Sequence, residues 1–328
     1  MIEELLPGIF CLQVPLPRNP LRALNAYLIK GQDRHLLIDT GFDWPECKKA
    51  LLTGLNSLGV TISQVDFFIT HVHGDHSGLV CDLLTGDSKV YASETDAEIL
   101  RKTTTREYWQ EIDALFEMNG FPRNKSKNQG SRIKGYISGS EMDITYVREG
   151  QLLEIGPYRL RCIMTPGHTP GHVCLYEPEH KFFISGDHIL GDISPNITAW
   201  PEMEDALGSY LDNLEKVEKM DITLILPGHR SLIYHHRQRI AELRKHHEAR
   251  LQEVRDILKK GAMSAYQVAS FMSWDLDYKS WEDFPMFQRW FATGEAVAHL
   301  EHLLHLKQVQ VNKGEVFLFS YPSDLRQP

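Results

Sequence analysis

Apolar and polar residues alternate in short blocks over the first 90 residues, and these blocks predict a mixed α/β unit. Three segments rich in Ile, Leu and Val and bounded by Gly or Pro predict strands: GIFCLQV, LNAYLIKG and HLLIDTG. The segment WPECKKALLTGLNSLG has helical spacing and predicts a helix that ends at Gly59. QVDFFIT then predicts a further short strand.

The pattern changes between about residues 95 and 146. Helical spacing over TDAEILRKTTTREYWQEIDALFEMNG is followed by a polar, glycine-containing segment, FPRNKSKNQGSRIKGYISGS. We interpret residues 95–146 as an insertion that caps a pocket. Strands are predicted again at YRLRCIMT, HVCLYE and KFFISGD, followed by a helix at EDALGSYLDNLEKVEKM and a last strand at ITLILPGH.

A different organisation is predicted after residue 235. RQRIAELRKHHEARLQEVRDILKKG carries apolar residues three and four positions apart, which is typical of an amphipathic helix. Two further helices, SAYQVASFM and GEAVAHLEHLLHLKQ, precede two strands, VQV and EVFLFS. We therefore predict a first domain in residues 1–235 and a winged-helix-like domain in residues 236–328.

Composition narrows the class of protein. The chain has 328 residues, of which 42% are hydrophobic, and this length suits one or two domains. A net charge of -9 disfavours nucleic acid as the main partner, because binding phosphate backbones needs a basic surface. The N-terminal residues lack a signal-peptide pattern, no apolar run approaches the roughly 20 residues of a membrane span, and the five cysteines are scattered. We predict a cytoplasmic protein that does not enter a membrane.

The segment FFITHVHGDHSG places four possible metal ligands directly after a predicted strand. Imidazole and carboxylate groups are the usual ligands of zinc and related metals. His71 and His73 can point the same way from an extended turn and give one metal two nitrogens. Asp75 and His76 are offset toward a second position, so one loop can begin two adjacent sites.

Three other predicted strand ends supply the ligands that this loop lacks. His168 follows a strand in MTPGHTPGH, Asp187 ends the strand FFISGD, and His229 ends the strand LILPGH. Open α/β sheets place ligands at strand ends, and four strand ends with ligand-type side chains are far more specific than one.

The motifs HVHGDH, PGHTPGH, SGD and PGH together resemble the metallo-β-lactamase superfamily over about residues 1–234. The resemblance implies an α/β fold, the αββα sandwich, with two divalent metal ions at one sheet edge. By motif, one metal is held by His71, His73 and His168, the other by Asp75, His76 and His229, and Asp187 bridges both. Zinc is the expected metal, and manganese and iron are the alternatives.

The resemblance also implies roles for residues around the ligands. Asp39 in LLIDTGFD matches a supporting aspartate that orients a ligand, and His172 matches a second histidine that does not bind metal. The expected nucleophile is a hydroxide bridging both metals, since paired metals lower the pKa of bound water from 15.7 to about 7. Asp75 is the expected catalytic proton acceptor.

Two departures from subfamily patterns restrict the substrate. True β-lactamases of this fold use a Cys or another His set near the second metal, whereas SGD supplies Asp187, as in glyoxalase II-like thioesterases, lactonases and nucleases. The flavodiiron oxidoreductases carry Glu where this chain has His73. We expect hydrolysis of an ester or thioester of a small acyl compound.

Two other functions stay open at this point. Some endoribonucleases of the superfamily have a similar winged-helix tail, so hydrolysis of RNA or nucleotide phosphodiesters is the main alternative. A non-catalytic binding protein is the third hypothesis, which the intact ligand set disfavours. A basic channel around the metals would favour RNA, and an apolar pocket would favour acyl substrates.

Overall fold

The computed structural model describes residues 2–17, 19–123, 142–275 and 278–322. In these ranges two mixed β-sheets pack face to face. The first sheet holds, in spatial order, β1 (Ile2–Leu6), β2 (Ile9–Pro15), β3 (Ala23–Ile29), β4 (His35–Ile38), β5 (Val65–Phe68), β6 (Val90–Ser93) and β7 (Ile144–Val147). The second holds β8 (Leu152–Ile155), β9 (Tyr158–Met164), β10 (Val173–Glu177), β11 (Phe182–Gly186) and β12 (Leu224–Pro227), with β12 and β8 at its edges.

Helices cover the outer face of each sheet. The helices that pack on the first sheet are α1 (Pro45–Ser57), α3 (Val80–Leu83), α4 (Glu94–Lys102) and α5 (Arg106–Met118), and the short helix α2 (Gly74–Ser77), which carries Asp75 and His76, lies between α1 and α3 in the chain. Those at the second are α6 (Ala206–Glu218), α7 (His236–Leu258), α8 (Ala265–Phe271) and α9 (Met286–His305), and a hairpin of β13 (Gln310–Lys313) and β14 (Phe317–Ser320) follows. The order of layers is therefore helix, sheet, sheet, helix, as predicted.

Alternation of side chains along the strands produces these layers. In β4, Leu36 and Ile38 are buried between the sheets, whereas Leu37 packs against the helices outside the first sheet. In β9, Leu160 lies between the sheets and Ile163 faces the other helical layer. Strands inside the sheets, such as β4 and β11, are thus apolar on both faces, which explains why they read as nearly continuous hydrophobic runs.

Several predicted elements differ in extent from the structure. The continuous helical spacing after residue 95 is two helices, α4 and α5, because Thr105 caps α5 and interrupts the first helix. The predicted insertion, residues 95–146, also includes most of β7, which pairs with β6 and belongs to the first sheet. Its predicted polar loop lies largely outside the described residues. Helix α9 begins at Met286, eight residues before the predicted start.

The C-terminal helices share a core with the second sheet. One hydrophobic cluster includes Ile163 and Phe183 of that sheet together with Leu251 of α7, Val268 of α8 and Val297 of α9. The order of three helices and a β-hairpin matches the predicted order, and its assignment to the winged-helix class stays a prediction. Among the described residues, no helix combines the length and apolar character required to cross a membrane.

Candidate metal centre

The predicted ligands lie at one edge of the sandwich, where several strands end. Strands β9, β11 and β12 run in the same direction, so their carboxyl ends lie at the same edge of the second sheet. The N–H of Val173 donates to the carbonyl of Thr70 over 2.9 Å and joins β10 to the end of β5 in the first sheet. This contact brings the HVHGDH loop against the strand ends of the second sheet that carry the other predicted ligands.

Three histidines form the first group of donors. His73 Nδ1 lies 3.0 Å from both His71 Nε2 and His168 Nε2. Burial lowers the pKa of all three side chains, that of His73 to about 3, so they are neutral at physiological pH. Neutral imidazoles offer unprotonated nitrogens, and metal binding requires such lone pairs.

In His71 and His168, the ring nitrogen that faces away from the site is held by a hydrogen bond that fixes the tautomer. His168 Nδ1 donates to the carbonyl of Asn196 over 2.8 Å. His71 Nδ1 lies 3.0 Å from Thr70 Oγ1, whose proton is directed to Asp39 Oδ2 at 2.8 Å. Both rings therefore carry the proton on Nδ1 and present a bare Nε2 to the site.

The second group contains two histidines and an aspartate. His229 Nε2 lies 3.2 Å from His76 Nε2 and 3.3 Å from Asp75 Oδ2. His76 Nδ1 contacts Asp39 Oδ2 at 2.7 Å, and His229 Nδ1 donates to the carbonyl of Ala23 at 2.7 Å. In each ring, Nε2 again faces the site.

Asp187 lies between the two groups. Its Oδ2 is 3.7 Å from His168 Nε2 on one side and 3.7 Å from His229 Nε2 on the other, and its Oδ1 is 3.5 Å from His76 Nε2. Asp187 Oδ1 is buried and accepts no hydrogen bond, which is costly for a carboxylate unless a cation compensates it. The structure thus brings all seven predicted ligands together.

The donor set fits divalent cations. Ligand atoms of His71, His73 and His168 all lie within 4.8 Å of one another, and so do those of Asp75, His76 and His229. Burial favours the neutral form of Asp75, but the charges of His76 and His229 outweigh burial and lower its pKa to about 2. Burial also opposes protonation of His76, but Asp39 and Asp187 raise its pKa well above its usual value. Ionised carboxylates in a buried site attract positive charge, which metal ions supply.

Asp39 supports ligands on both sides of the site. Its carboxylate accepts the backbone N–H and the hydroxyl of Thr70 and contacts His76 Nδ1. It thus contacts one predicted ligand directly and a second, His71, through Thr70. The backbone of Asp39 adopts φ 61°, a left-handed conformation that Asp tolerates better than most residues.

His172 contacts the backbone of Asp187, a predicted ligand, rather than its carboxylate. Its Nε2 accepts the N–H of Asp187 over 3.2 Å, and its Nδ1 lies 2.8 Å from Thr165 Oγ1. The close approach needs a glycine beside it, because a Cβ at Gly186 would lie 2.8 Å from His172 Nε2. Both ring nitrogens are engaged away from the predicted metals, which agrees with the predicted non-ligating role.

Asp96 is a buried residue that contacts two loops of the site. It lies within the predicted insertion, residues 95–146. Its Oδ2 accepts the N–H of Val72 at 2.9 Å and the hydroxyl of Thr169 at 2.7 Å, and its Oδ1 accepts the N–H of Gly171 at 2.6 Å. It therefore ties the loop between His71 and His73 to the loop after His168. One carboxylate joins two segments about 100 residues apart, and no local pattern marks it.

Replacing Asp96 with asparagine is expected to loosen both ligand loops. Asn has one carbonyl oxygen and cannot accept all three hydrogen bonds, and hydrogen bonds to charged groups contribute about 1.5–3 kcal/mol each. We expect the free energy of unfolding to fall by about 2–3 kcal/mol, as measured by urea denaturation. Glu98→Gln, at an exposed position of the same helix α4, is the control. An unchanged free energy of unfolding in Asp96→Asn would contradict this role.

A match to a known family extends over most of the first unit. The metallo-beta-lactamase superfamily matches residues 20–229. Probable metallo-hydrolase YqjP of Bacillus subtilis is 26% identical over 269 residues, covering 79% of this chain and 83% of that protein. The atrochrysone carboxyl ACP thioesterase AacuM of Aspergillus aculeatus is 24% identical over 233 residues, covering 71% of this chain and 59% of the relative.

Solved structures extend the similarity to the C-terminal helices. The metallo-beta-lactamase family protein TTHA1429 from Thermus thermophilus has 29% identity and a TM-score of 0.81, covering 97% of this chain and 100% of that one. The family match covers well over half of the 328 residues, and it therefore establishes the family of this chain. The chain therefore belongs to the metallo-beta-lactamase superfamily, and we class it with the metal-dependent hydrolases of that superfamily rather than with its true β-lactamases.

Proposed function

We propose that the protein hydrolyses an ester or thioester of a small acyl compound at a centre of two divalent metals, with zinc as the preferred metal. The observation that carries this proposal is the pair of buried donor groups with Asp187 between them. The first metal would be held by His71, His73 and His168. The second would be held by the remaining three donors: Asp75, His76 and His229.

Paired divalent metals, when bound, lower the pKa of water and polarise a carbonyl oxygen. The chain's own residues would orient the ligands of these metals. Asp39 holds the Nδ1 proton of His76, and His172 holds the backbone of Asp187. Asp75 is ionised, so its carboxylate can accept a proton from the attacking water, in the role predicted from the sequence.

A cysteine nucleophile is a poor alternative at this site. Cys174 lies near His172, with 3.9 Å between Sγ and Nδ1. Burial raises the pKa of the Cys174 thiol, and reactive cysteines instead have a lowered pKa. His172 Nδ1 also has the closer partner Thr165 Oγ1 at 2.8 Å. Water is therefore the nucleophile in our proposal.

Aromatic groups near the donors support an acyl substrate. The Trp200 ring lies 5.8 Å from the His73 ring, and its Nε1 donates to the carbonyl of His168 over 3.1 Å. Helix α9 also carries two exposed aromatic side chains, Phe287 and Phe291, each more than 40% exposed. Large exposed apolar side chains often mark binding surfaces. The relative AacuM is named a carboxyl ACP thioesterase, which agrees with a thioester substrate.

Phosphodiester hydrolysis is the second candidate, and the order of three helices and a hairpin after the last ligand favours it. The net charge of -9 opposes it. For location we keep the cytoplasm, based on the scattered cysteines. The C-terminal residues 236–328 would form a winged-helix-like domain whose preferred role is to shape the active site.

A panel of substrates separates these functions. Bound metal is measured first, and the wild type and His73→Ala are then assayed on a thioester, a lactone and a phosphodiester. We expect about two metal equivalents and thioester or lactone turnover that His73→Ala removes. His305→Ala serves as a matched control, because His305 is an exposed histidine at the end of α9 and belongs to neither donor group. Turnover unaffected by His73→Ala, or a wild type without bound metal, would refute the proposal.

A further inference from the structure

His168, a predicted metal ligand, is held by a short segment that the C-terminal helices contact directly. The carbonyl of Asn196 accepts the proton on His168 Nδ1 at 2.8 Å, and Trp200 Nε1 donates to the backbone carbonyl of His168 at 3.1 Å. Residues 196–200 therefore fix both the ring and the backbone of one predicted ligand.

The backbone of helix α9 packs directly against residues 196–200 at Gly294. A Cβ at Gly294 would lie 2.1 Å from Thr198 Oγ1, so the glycine permits the close approach of the helix. Ile197 and Ala199 are buried in the same hydrophobic cluster as Ala292 and Ala296 of α9. The segment therefore has little room to move away from the helix.

A buried ion pair of the C-terminal helices reaches the same segment. Glu295 Oε2 accepts from Asn196 Nδ2 at 3.3 Å, and Glu295 Oε1 accepts from Arg250 Nε at 3.1 Å. Arg250 is 7% exposed and its guanidinium lies 4.4 Å from the centre of the Trp274 ring. The charges of Glu295 and Arg250 compensate each other in a site shielded from water, so the carboxylate has a fixed position.

We propose that Glu295, held by Arg250, is a positioning residue that orients Asn196 and through it the metal ligand His168. The C-terminal helices would then help to position a ligand of the metal centre. This inference rests on the proposed role of His168 as a metal ligand. Partners that hold the second nitrogen of a metal-bound histidine typically change metal affinity by about 10–100-fold, and Glu295 acts one residue further out.

The test is the affinity of each metal equivalent in the full-length protein, measured with Zn²⁺ and Co²⁺ against a chromophoric chelator. We expect Glu295→Ala to weaken one equivalent by about 10-fold and to change the visible spectrum of Co²⁺ at that position. The equivalent held by Asp75, His76 and His229 should keep its affinity. Glu295→Gln should restore most of the loss, because its carbonyl oxygen can accept from Asn196 Nδ2.

Two further variants separate positioning from general destabilisation. Asn196→Ala removes the link to Glu295 but keeps the carbonyl that holds His168 and the ion pair with Arg250. We expect Asn196→Ala to weaken the same metal equivalent that Glu295→Ala weakens. The double variant that combines Asn196→Ala with Glu295→Ala should show no additional loss of affinity. Glu253→Ala is the matched control, since Glu253 pairs with the same guanidinium at 2.7 Å and with the N–H of Ser273. It should leave both metal affinities unchanged.

Each unfavourable outcome has a distinct meaning. Wild-type affinity for both equivalents in Glu295→Ala would overturn the inference and leave the proposed function intact. An equal loss of affinity in Glu253→Ala would also overturn it, because the effect would then follow from the loss of any Arg250 partner. A wild type that binds no metal would overturn both the inference and the proposed function.

Discussion

Replacing Asp187 with asparagine is expected to remove tight binding of both metals and to lower the catalytic rate by more than about 100-fold, because loss of a partner outside the ligand shell already costs about 10–100-fold. Asp187 lies within 3.7 Å of donors from both groups, so its charge stabilises both positions. Asparagine keeps the shape of the side chain and removes the charge. Bound metal is measured by atomic emission after dialysis, and the rate on the substrate found in the panel.

Asp192→Asn is the matched control for this variant. Asp192 lies five positions further along the chain, is exposed and accepts the hydroxyl of Ser231 at 2.6 Å. We expect metal content and rate to stay at their wild-type values. If Asp187→Asn kept two metal equivalents and full activity, Asp187 would not be a ligand shared by the two donor groups. The proposed two-metal site would then be wrong.

Metal removal is expected to lower stability strongly. A ligand that binds only the folded state at 1,000 times its dissociation constant raises the free energy of unfolding by about 4 kcal/mol. We therefore expect the metal-free protein to lose about 4 kcal/mol per site relative to the protein at such a metal concentration. The buried carboxylates of Asp75 and Asp187 lose their compensating charge when the metals leave. Urea denaturation with and without added Zn²⁺ measures this difference.

Variants distinguish the two sites in the same experiment. His73→Ala should keep only part of the stabilisation by metal, because it removes a donor from one group. Asp187→Asn should lose most of it, because it affects both groups. An equal response to Zn²⁺ in the wild type and both variants would show that stabilisation comes from metal bound elsewhere, and it would contradict the proposed ligand set.

The order of elements was largely predictable because each strand and helix has a local pattern. Apolar runs such as FFIS and LILP mark strands that are buried on both faces. The strands β1, β7 and β8 were missed, since IEELL, ITYV and LLEI are short and partly exposed. Such edge strands are defined by their pairing partners, and pairing is not written in a local pattern.

The residues that support the ligands were harder to predict than the ligands themselves. The ligands occur in dense motifs, and Asp39 and His172 were found through a resemblance to a family. Asp96, Asn196 and Glu295 act over separations of about 24 to 100 residues and look like ordinary polar residues of helices and loops. Their roles depend on which backbone groups remain without hydrogen-bond partners once the chain has folded.

The sequence by itself determined the alternating elements, the family and the set of possible metal ligands, because hydrophobic periodicity and short motifs are local properties. Tertiary structure alone decided how close the predicted ligands lie to one another, which nitrogen His168 presents, and that Glu295 of α9 reaches the segment holding His168. These features depend on contacts between residues far apart in the chain. Such contacts are selected by packing and by the need to pair buried polar groups, not by local sequence.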